Sequence, residues 1–310
     1  MRAGWPDKPG VEVARVVEVA GDGAVLERED LLAPEAPLEI RLALPAAGGL
    51  QVRPVAVTMR TPGRDRELAC GFLYTEQVVR DPGSIEWVGH LDDPRVHWAH
   101  RSHVVQVRLR PGASLDLGRL ERHFYTASSC GVCGKAALEA VAATGVCAPQ
   151  GAIVWSADWL RGLPARLKAH QQMFGWTGGI HAAALVGASG EFVDVAEDVG
   201  RHNAVDKLVG RAVLEGRLPL SDTMLLLSGR AAFELVQKAL VAGVPGVAAV
   251  GAPTSLAVEL AQAYDMTLVG FLSESRFNIY SGAHRIGLDR RDGKRLSAPA
   301  GGGPEPAAQR

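Results

Sequence analysis

The sequence predicts a mixed α/β (α+β) fold, a β-rich N-terminal part followed by a layered α/β/α sheet domain. Three observations carry that expectation. Up to about residue 60, apolar and polar residues approach strict alternation, the mark of strands with one buried face. From about Gly178, short apolar runs alternate with helical patterns, which argues for crossover units around a sheet. After Asp289 the text becomes "RRDGKRLSAPAGGGPEPAAQR", too poor in apolar residues to order itself. The division expected is a β-rich subdomain at 1–125, a C-x-x-C loop with its following helix at 126–150, the sheet domain at 151–288 and a disordered tail at 289–310.

In order along the chain, strands are expected at Val11–Val19, Leu38–Leu44 and Gln51–Arg60, separated by Gly, Pro and acidic breaks. A helix is expected over Asp65–Val79, with Leu68, Phe72 and Val79 on one face. His103–Leu109 is another strand. The runs "HAAALVG" and "EFVDV" are joined only by "ASG" and therefore predict a hairpin, which makes the later sheet mixed. Helical patterns follow at Arg201–Glu215, Ala231–Val241 and Ser255–Tyr264.

Composition narrows the function classes. Of 310 residues, 47% are hydrophobic and 22% charged, and the formal net charge is −1. Such a chain buries an ordinary core and carries no overall basic field for nucleic acid or a membrane surface. The N-terminus lacks an apolar signal core and no run approaches a membrane span, so the expected location is cytoplasmic. In that reducing compartment four cysteines do not read as a disulfide framework. Cys70 and Cys147, in apolar surroundings, are expected to be small buried hydrophobes.

The remaining pair, Cys130 and Cys133, stands in "TASSCGVCGKAALEAV" between glycines, just before a helical run. A structural zinc site needs two further ligands, and there is no second C-x-x-C. Zinc deaminases, which also use a layered sheet, need H/C-x-E followed by P-C-x-x-C. Neither "GRHNAV" nor "GGIHAAA" carries that glutamate, and Ser129 replaces the proline. No metal site is expected. A dithiol at a helix start, beside Lys135, favours thiolate. Such a thiolate suits either a redox couple or a sulfur carrier working by displacement at sulfur.

Three strand exits form the second candidate. "LLLSGRAAFELVQK" leaves Ser228, Gly229 and Arg230 in a turn; "VAAVGAPTSLAVEL" does the same with Gly251 to Ser255, where Thr254 or Ser255 can cap the helix. "TLVGFLSESRFNIY" ends a strand near Phe271 and presents Ser273, Glu274, Ser275 and Arg276. Right-handed crossovers place all three at one sheet edge. Helix N-termini there, with Arg230 and Arg276, predict a phosphate-binding rim. "VAEDVGRHNAVDKLVG" crowds Arg201, His202, Asn203, Asp206 and Lys207 after a glycine. The four-residue spacing of His202 and Asp206 predicts that the carboxylate orients or charges the imidazole. His181, at a strand start after paired glycines, reads equally as structural or functional.

Taken together, "GRDRELACGFLYTEQ", "SSCGVCG", "TGGIHAAAL", "EDVGRHNAVDKLVG", "SGRAAFELVQKAL", "APTSLAVELA" and "TLVGF" resemble the formate dehydrogenase accessory sulfurtransferase family, FdhD. The resemblance implies a cytidine-deaminase-like sheet domain without deaminase zinc chemistry, and a homodimer. It implies transfer of sulfur from a cysteine desulfurase to molybdenum cofactor in its bis-guanine-dinucleotide form, on behalf of formate dehydrogenase. It places the persulfide on Cys130, with Cys133 its companion, and the cofactor on Phe271, Leu272, Ser273, Glu274, Ser275 and Arg276. GDP is the expected fragment ligand. The alternative reading is a nucleotide-binding dithiol oxidoreductase or a cofactor chaperone without a sulfur relay. Three departures stand out: Gln77 where a glycine usually follows "TE", Gly251 where a serine usually precedes "APT", and "FLSES" without an arginine two after the Phe.

Overall fold

The structure, a computed structural model, describes residues 10–46, 48–90, 102–113, 115, 134–151 and 153–288. Cys130, Cys133 and the segment 289–310 lie outside them. Strands β1 (Glu12–Val19) and β2 (Val25–Leu32) pair as an antiparallel ribbon that turns through Gly23 at φ 83°. A ribbon of two strands has little to bury against, and Val17, Val19 and Val25 stay more than 60% exposed.

Strands β3 (Ala36–Ala46), β4 (Gly49–Arg60), β5 (Ile85–His90) and β6 (Val104–Leu109) form a sheet in the order β4-β3-β6-β5, with β3 and β6 parallel. Leu38, Ile40 and Leu42 alternate inward along β3, and Val105, Val107 and Leu109 along β6, as period two requires. Helix α1 is shorter than its apolar pattern predicts. It spans Asp65–Thr75, and the chain then passes through Gln77 in the left-handed region at φ 58°. Val79 is buried, but in a bridge to Leu115 and not on the helix face. Helix α2 (Gly134–Ala142) follows directly on the cysteine pair in sequence.

The larger sheet is built from β8 (His181–Gly187), β9 (Phe192–Asp198), β10 (Thr223–Leu227), β11 (Gly246–Ala249), β12 (Thr267–Gly270) and β13 (Asn278–Ser281). Their order is β13-β12-β11-β10-β8-β9, with β10, β11 and β12 parallel and the β8–β9 hairpin antiparallel. The sheet is therefore mixed. Ala183, Leu185, Leu225 and Leu227 point to one face, against α5 (Arg201–Leu214), α6 (Phe233–Val241) and α7 (Ser255–Ala263). Ala182, Ala184, Val186, Met224 and Leu226 point to the other, against α3 (Ala157–His170). That gives the three layers. Leu160, Leu163 and Leu167 supply the buried stripe of α3, whose pattern Pro164 interrupts in sequence. The short helix α4 (Gln172–Thr177) and the paired short strands β7 (Trp155–Ser156) and β14 (Ile286–Gly287) complete the described chain.

Helices α1 and α5 weld the two sheets into one core. A Cβ on Gly71 would stand 1.8 Å from the Asp206 carbonyl oxygen, and one on Gly210 would stand 1.7 Å from that of Glu67. The helices thus cross backbone against backbone, which only glycine permits. Leu38 and Ile40 of the first sheet and Leu208 and Leu235 over the second belong to the same buried cluster.

Candidate functional site

The parallel run of β10, β11 and β12 puts the three predicted strand exits at one edge. Short backbone bonds knit them together. Gly251 N donates to Gly229 O (2.9 Å) and Phe271 N to Gly251 O (3.0 Å), while Ala231 N donates to Ala252 O (3.2 Å). A fourth exit joins them. Because β8 runs antiparallel to both neighbours, β9 points the same way as β10, and His181 pairs with Asp198 at the end of β9. The start of α5, with Arg201 and His202, therefore opens on the edge that carries Gly229.

The dense segment "EDVGRHNAVDK" divides into two kinds of residue. Most of it is framework. Asp198 is fully buried and accepts from Gly200 N (2.8 Å) and Asn203 Nδ2 (3.0 Å), and Lys207 Nζ lies 2.7 Å away. Lys207 also donates to the carbonyls of Thr61 and Glu197, and Glu197 accepts from the first amides of α4, Met173 N and Phe174 N. Burial lowers the Lys207 pKa, and Asp198 opposes that. Asn203 Nδ2 ties α5 to Met59 O of β4 (2.8 Å).

Asp206 does not serve His202, contrary to the spacing argument. Its carboxylate accepts from Thr75 Oγ1 (2.7 Å) and from Lys238 Nζ at both oxygens (2.9 Å each), and Lys238 also reaches Glu76 (2.8 Å). Burial pushes Asp206 up to about 6 despite Lys238; burial also works against the Lys238 charge, but Asp206 and Glu76 outweigh it and raise its pKa. A helical spacing of four permits contact but does not choose between partners, and the ammonium of α6 wins. Lys238 carried no role in the sequence reading. The signal was there: a lysine on the apolar stripe of "FELVQKAL".

Arg201 and His202 are left facing the edge with polar atoms unused. Arg201 Nε and His202 Nε2 are buried without a hydrogen-bond partner, as is Thr254 Oγ1. Burial, then the charges of Lys238 and Arg201, depress His202 to about 4, so the imidazole is neutral rather than charged. His181 is half-buried at the first position of β8, with its pKa lowered by burial and by Arg201. Its Nδ1 lies 3.5 Å from where a Cβ on Gly229 would stand.

The other predicted residues sort by position. Ser228 Oγ accepts from Ala182 N (2.9 Å) and pins the start of β8 to the turn. Gly229 and Arg230 follow it, half-buried and exposed respectively, and α6 begins only at Phe233 because Ala231 bridges to Pro253. Thr254 sits at the N-cap of α7, yet its hydroxyl makes no capping bond, and Ser255 is exposed at the first helical position. Phe271 is 44% exposed in the left-handed region at φ 52°, while Leu272 turns into the core behind the sheet. Ser273 closes a turn on Arg276 O (2.9 Å from both its N and its Oγ), leaving Glu274, Ser275 and Arg276 exposed. A Cβ on Gly251 would fall 2.9 Å from Arg230 N and the Gly229 carbonyl. A serine at this position would therefore push the neighbouring turn away.

Among the other cysteines, Cys70 is fully buried, and desolvation pushes its thiol up to about 12. Cys147 departs from expectation. It is exposed, in the stretch after α2 that Gly145 turns outward at φ 73°. Among the described residues no group of three or more His, Cys, Asp or Glu side chains could hold a metal ion, and no helix is long and apolar enough to cross a membrane.

The chain is similar to known proteins over most of its length. The sulfur carrier protein FdhD of Streptomyces avermitilis is 51% identical over 277 residues, which are 86% of this chain and 93% of the relative. The protein of the same description from Mycobacterium tuberculosis is 47% identical, over 88% of this chain and 97% of the relative. A crystal structure of a candidate formate dehydrogenase accessory protein from Desulfotalea psychrophila superimposes with a TM-score of 0.67 over 90% of this chain and all of that one. At 23% identity, it speaks for the fold. The family model described as FdhD/NarQ matches residues 35–287, from β3 through the last described strand, and the chain belongs to that family.

Proposed function

We propose that this protein is a sulfur carrier for formate dehydrogenase maturation: it takes sulfur as a persulfide on Cys130 and presents it to a guanine-dinucleotide molybdenum cofactor held at the sheet edge. The observation that carries the cofactor half is the edge itself. Four strand exits meet there, with the N-termini of α5, α6 and α7, and Arg201, Arg230 and Arg276 at its turns. Helix N-termini and planar guanidinium forks are what a diphosphate needs. The orphaned Arg201 Nε and Thr254 Oγ1 are donors with nothing yet to donate to. The sulfur half is supported by relatives described as sulfur carriers and by the glycine-flanked Cys130 and Cys133, which precede α2 in sequence.

The loading step is a displacement at sulfur. The Cys130 thiolate attacks the outer sulfur of a donor persulfide; the new S–S bond forms as the old one breaks, and the donor cysteine leaves as thiolate. A cysteine desulfurase is the expected donor, formate dehydrogenase the client, and a second copy of the chain the expected companion. The test is intact mass after incubation with a cysteine desulfurase and cysteine, where one sulfur adds about 32 Da. The gain should vanish in Cys130→Ala and persist in Cys133→Ala. Full complementation of a formate dehydrogenase maturation defect by Cys130→Ala would refute the carrier role.

A further inference from the structure

We propose that His181 is a further ligand-contacting residue of the edge, and that His181 and His202 take up protons when a phosphate group binds beside Arg201. The inference rests on the nucleotide reading above and adds a residue and a pH dependence to it.

The geometry comes from three elements. Along β8 the side chains of Ala183 and Leu185 lie on the face of α5 and α6, and period two puts His181 on that same face. Gly229, at the end of β10, lies opposite the imidazole and contributes no side chain, so the ring borders open space. Arg201 and His202 begin α5, whose uncapped N-terminus adds the positive end of a helix dipole.

The charges around the two rings are specific. His202 faces Lys238 and Glu234 of α6, Glu76 after α1, and Arg201 of its own helix; His181 faces Arg201 of α5. Lys238 is already spent on Asp206, Glu76 and Thr75, so it cannot serve a ligand. Arg201 and the two imidazoles remain. Within the protein alone, burial and the neighbouring positive charges lower the pKa of both rings and favour their neutral forms. A phosphate placed beside Arg201 reverses the sign of the local field, and each ring then gains more as a cation than it loses by desolvation. Once protonated, His202 carries N–H on both ring nitrogens, so Nε2, which makes no hydrogen bond within the protein, is a donor whichever tautomer the neutral ring holds.

The experiment uses the full-length protein with isotope-labelled histidine, titrated by NMR from pH 3.5 to 8.5 with and without saturating GDP. The GDP phosphate itself titrates near about pH 6, so ring resonances are read instead of net proton uptake. The apparent pKa of His181 and of His202 should each rise by about one unit or more on GDP binding. Between pH 6 and 8, wild-type affinity should fall by up to about tenfold in all through His181, while His202, which starts at about 4, adds its share below pH 6. His181→Gln should weaken GDP binding by about tenfold at pH 6 and hardly at all at pH 8, a pH profile that a merely structural role would not produce. GDP binding with both ring resonances unmoved would overturn this inference and leave the nucleotide reading standing. Failure of both GDP and pyrophosphate to bind at any pH would overturn the two together.

Discussion

The α1–α5 crossing and the sheet edge both draw on the segment "EDVGRHNAVDK", yet they treat charge in opposite ways. At the crossing every buried charge has a partner: Asp198 with Lys207, Asp206 with Lys238, Arg60 with Asp65 at 2.8 Å. At the edge Arg201, His202 and Thr254 keep buried polar atoms with none. Buried polar groups in folded proteins are overwhelmingly paired, and an unpaired one costs about 1–3 kcal/mol. A cluster of three at the mouth of four strand exits is what a ligand would complete. Density of polar residues therefore does not locate a site, and neither does a single orphaned atom such as Gln77 Oε1 or Arg108 Nε; orphaned groups on several exits of one sheet edge do.

The largest effect should come from the crossing. Lys238→Met keeps the bulk but leaves Asp206 buried without its counter-charge, which typically costs about 3–5 kcal/mol. Chemical denaturation should show that loss as a lower midpoint. The double variant Lys238→Met with Asp206→Leu should recover most of it, because removing both charges removes the desolvation cost as well. If the single variant is neutral, the pair is not the strut described here, and the contrast between the two regions fails.

At the edge the effect should move from stability to binding. Arg230→Ala or Arg276→Ala should cost roughly 1.5–3 kcal/mol of GDP affinity, about tenfold to a hundredfold by calorimetry, and more at low salt. Neither guanidinium makes an ion pair among the described residues, so melting temperature should hardly move. Unchanged affinity in both variants would shift the nucleotide toward Arg201 and His202. A loss of melting temperature would place the arginines in the framework instead.

A pH series separates the regions within one helix. His202 falls to about 4 in the folded chain, from an ordinary 6.5. A base with a depressed folded pKa holds fewer protons folded than unfolded. Its destabilisation is absent above the unfolded pKa, grows as pH falls through 6.5, and levels off below 4. From pH 7.5 to 5 the His202 share of stability lost should be about 2 kcal/mol. The His202→Phe variant should lack that component. An identical acid dependence in both would mean that His202 is more solvated than its surroundings suggest.

Much of the fold was legible because burial imposes a period. β3, β6 and the β8–β9 hairpin show their alternation openly, and three apolar runs between helical patterns gave the parallel strands. What failed did so for physical reasons. The α1 pattern ran on to Val79 because that residue is buried, although in a bridge and not on a helix. Helix α3 escaped notice because Pro164 interrupts its leucine stripe. At the site, the shared edge followed from crossover handedness, but the fourth exit depended on β9 running parallel to β10, with β8 lodged between them. The choice of Lys238 over His202 as partner of Asp206 is tertiary, and no spacing encodes it.

The smallest expected effect tests the joint between α1 and α2. Gln77 sits at φ 58°, where a non-glycine residue pays about 1–2 kcal/mol, and its Oε1 is buried without a partner. Its Nε2 donates to Thr144 Oγ1 (3.2 Å), just past the end of α2. Gln77→Gly relieves the backbone and removes the orphaned oxygen. Against that stand one hydrogen bond, typically about 0.5–1.5 kcal/mol, and the extra unfolded-state freedom of glycine, about 0.4–1 kcal/mol. The packing lost with a side chain only 5% exposed counts against the variant as well, so the balance favours it by about 1 kcal/mol or less, visible as a small rise in the urea midpoint. Destabilisation would mean that the Gln77–Thr144 bond outweighs the strain. The glutamine would then be an anchor for α2, holding the helix that follows Cys130 and Cys133 in sequence against the framework rather than the rim.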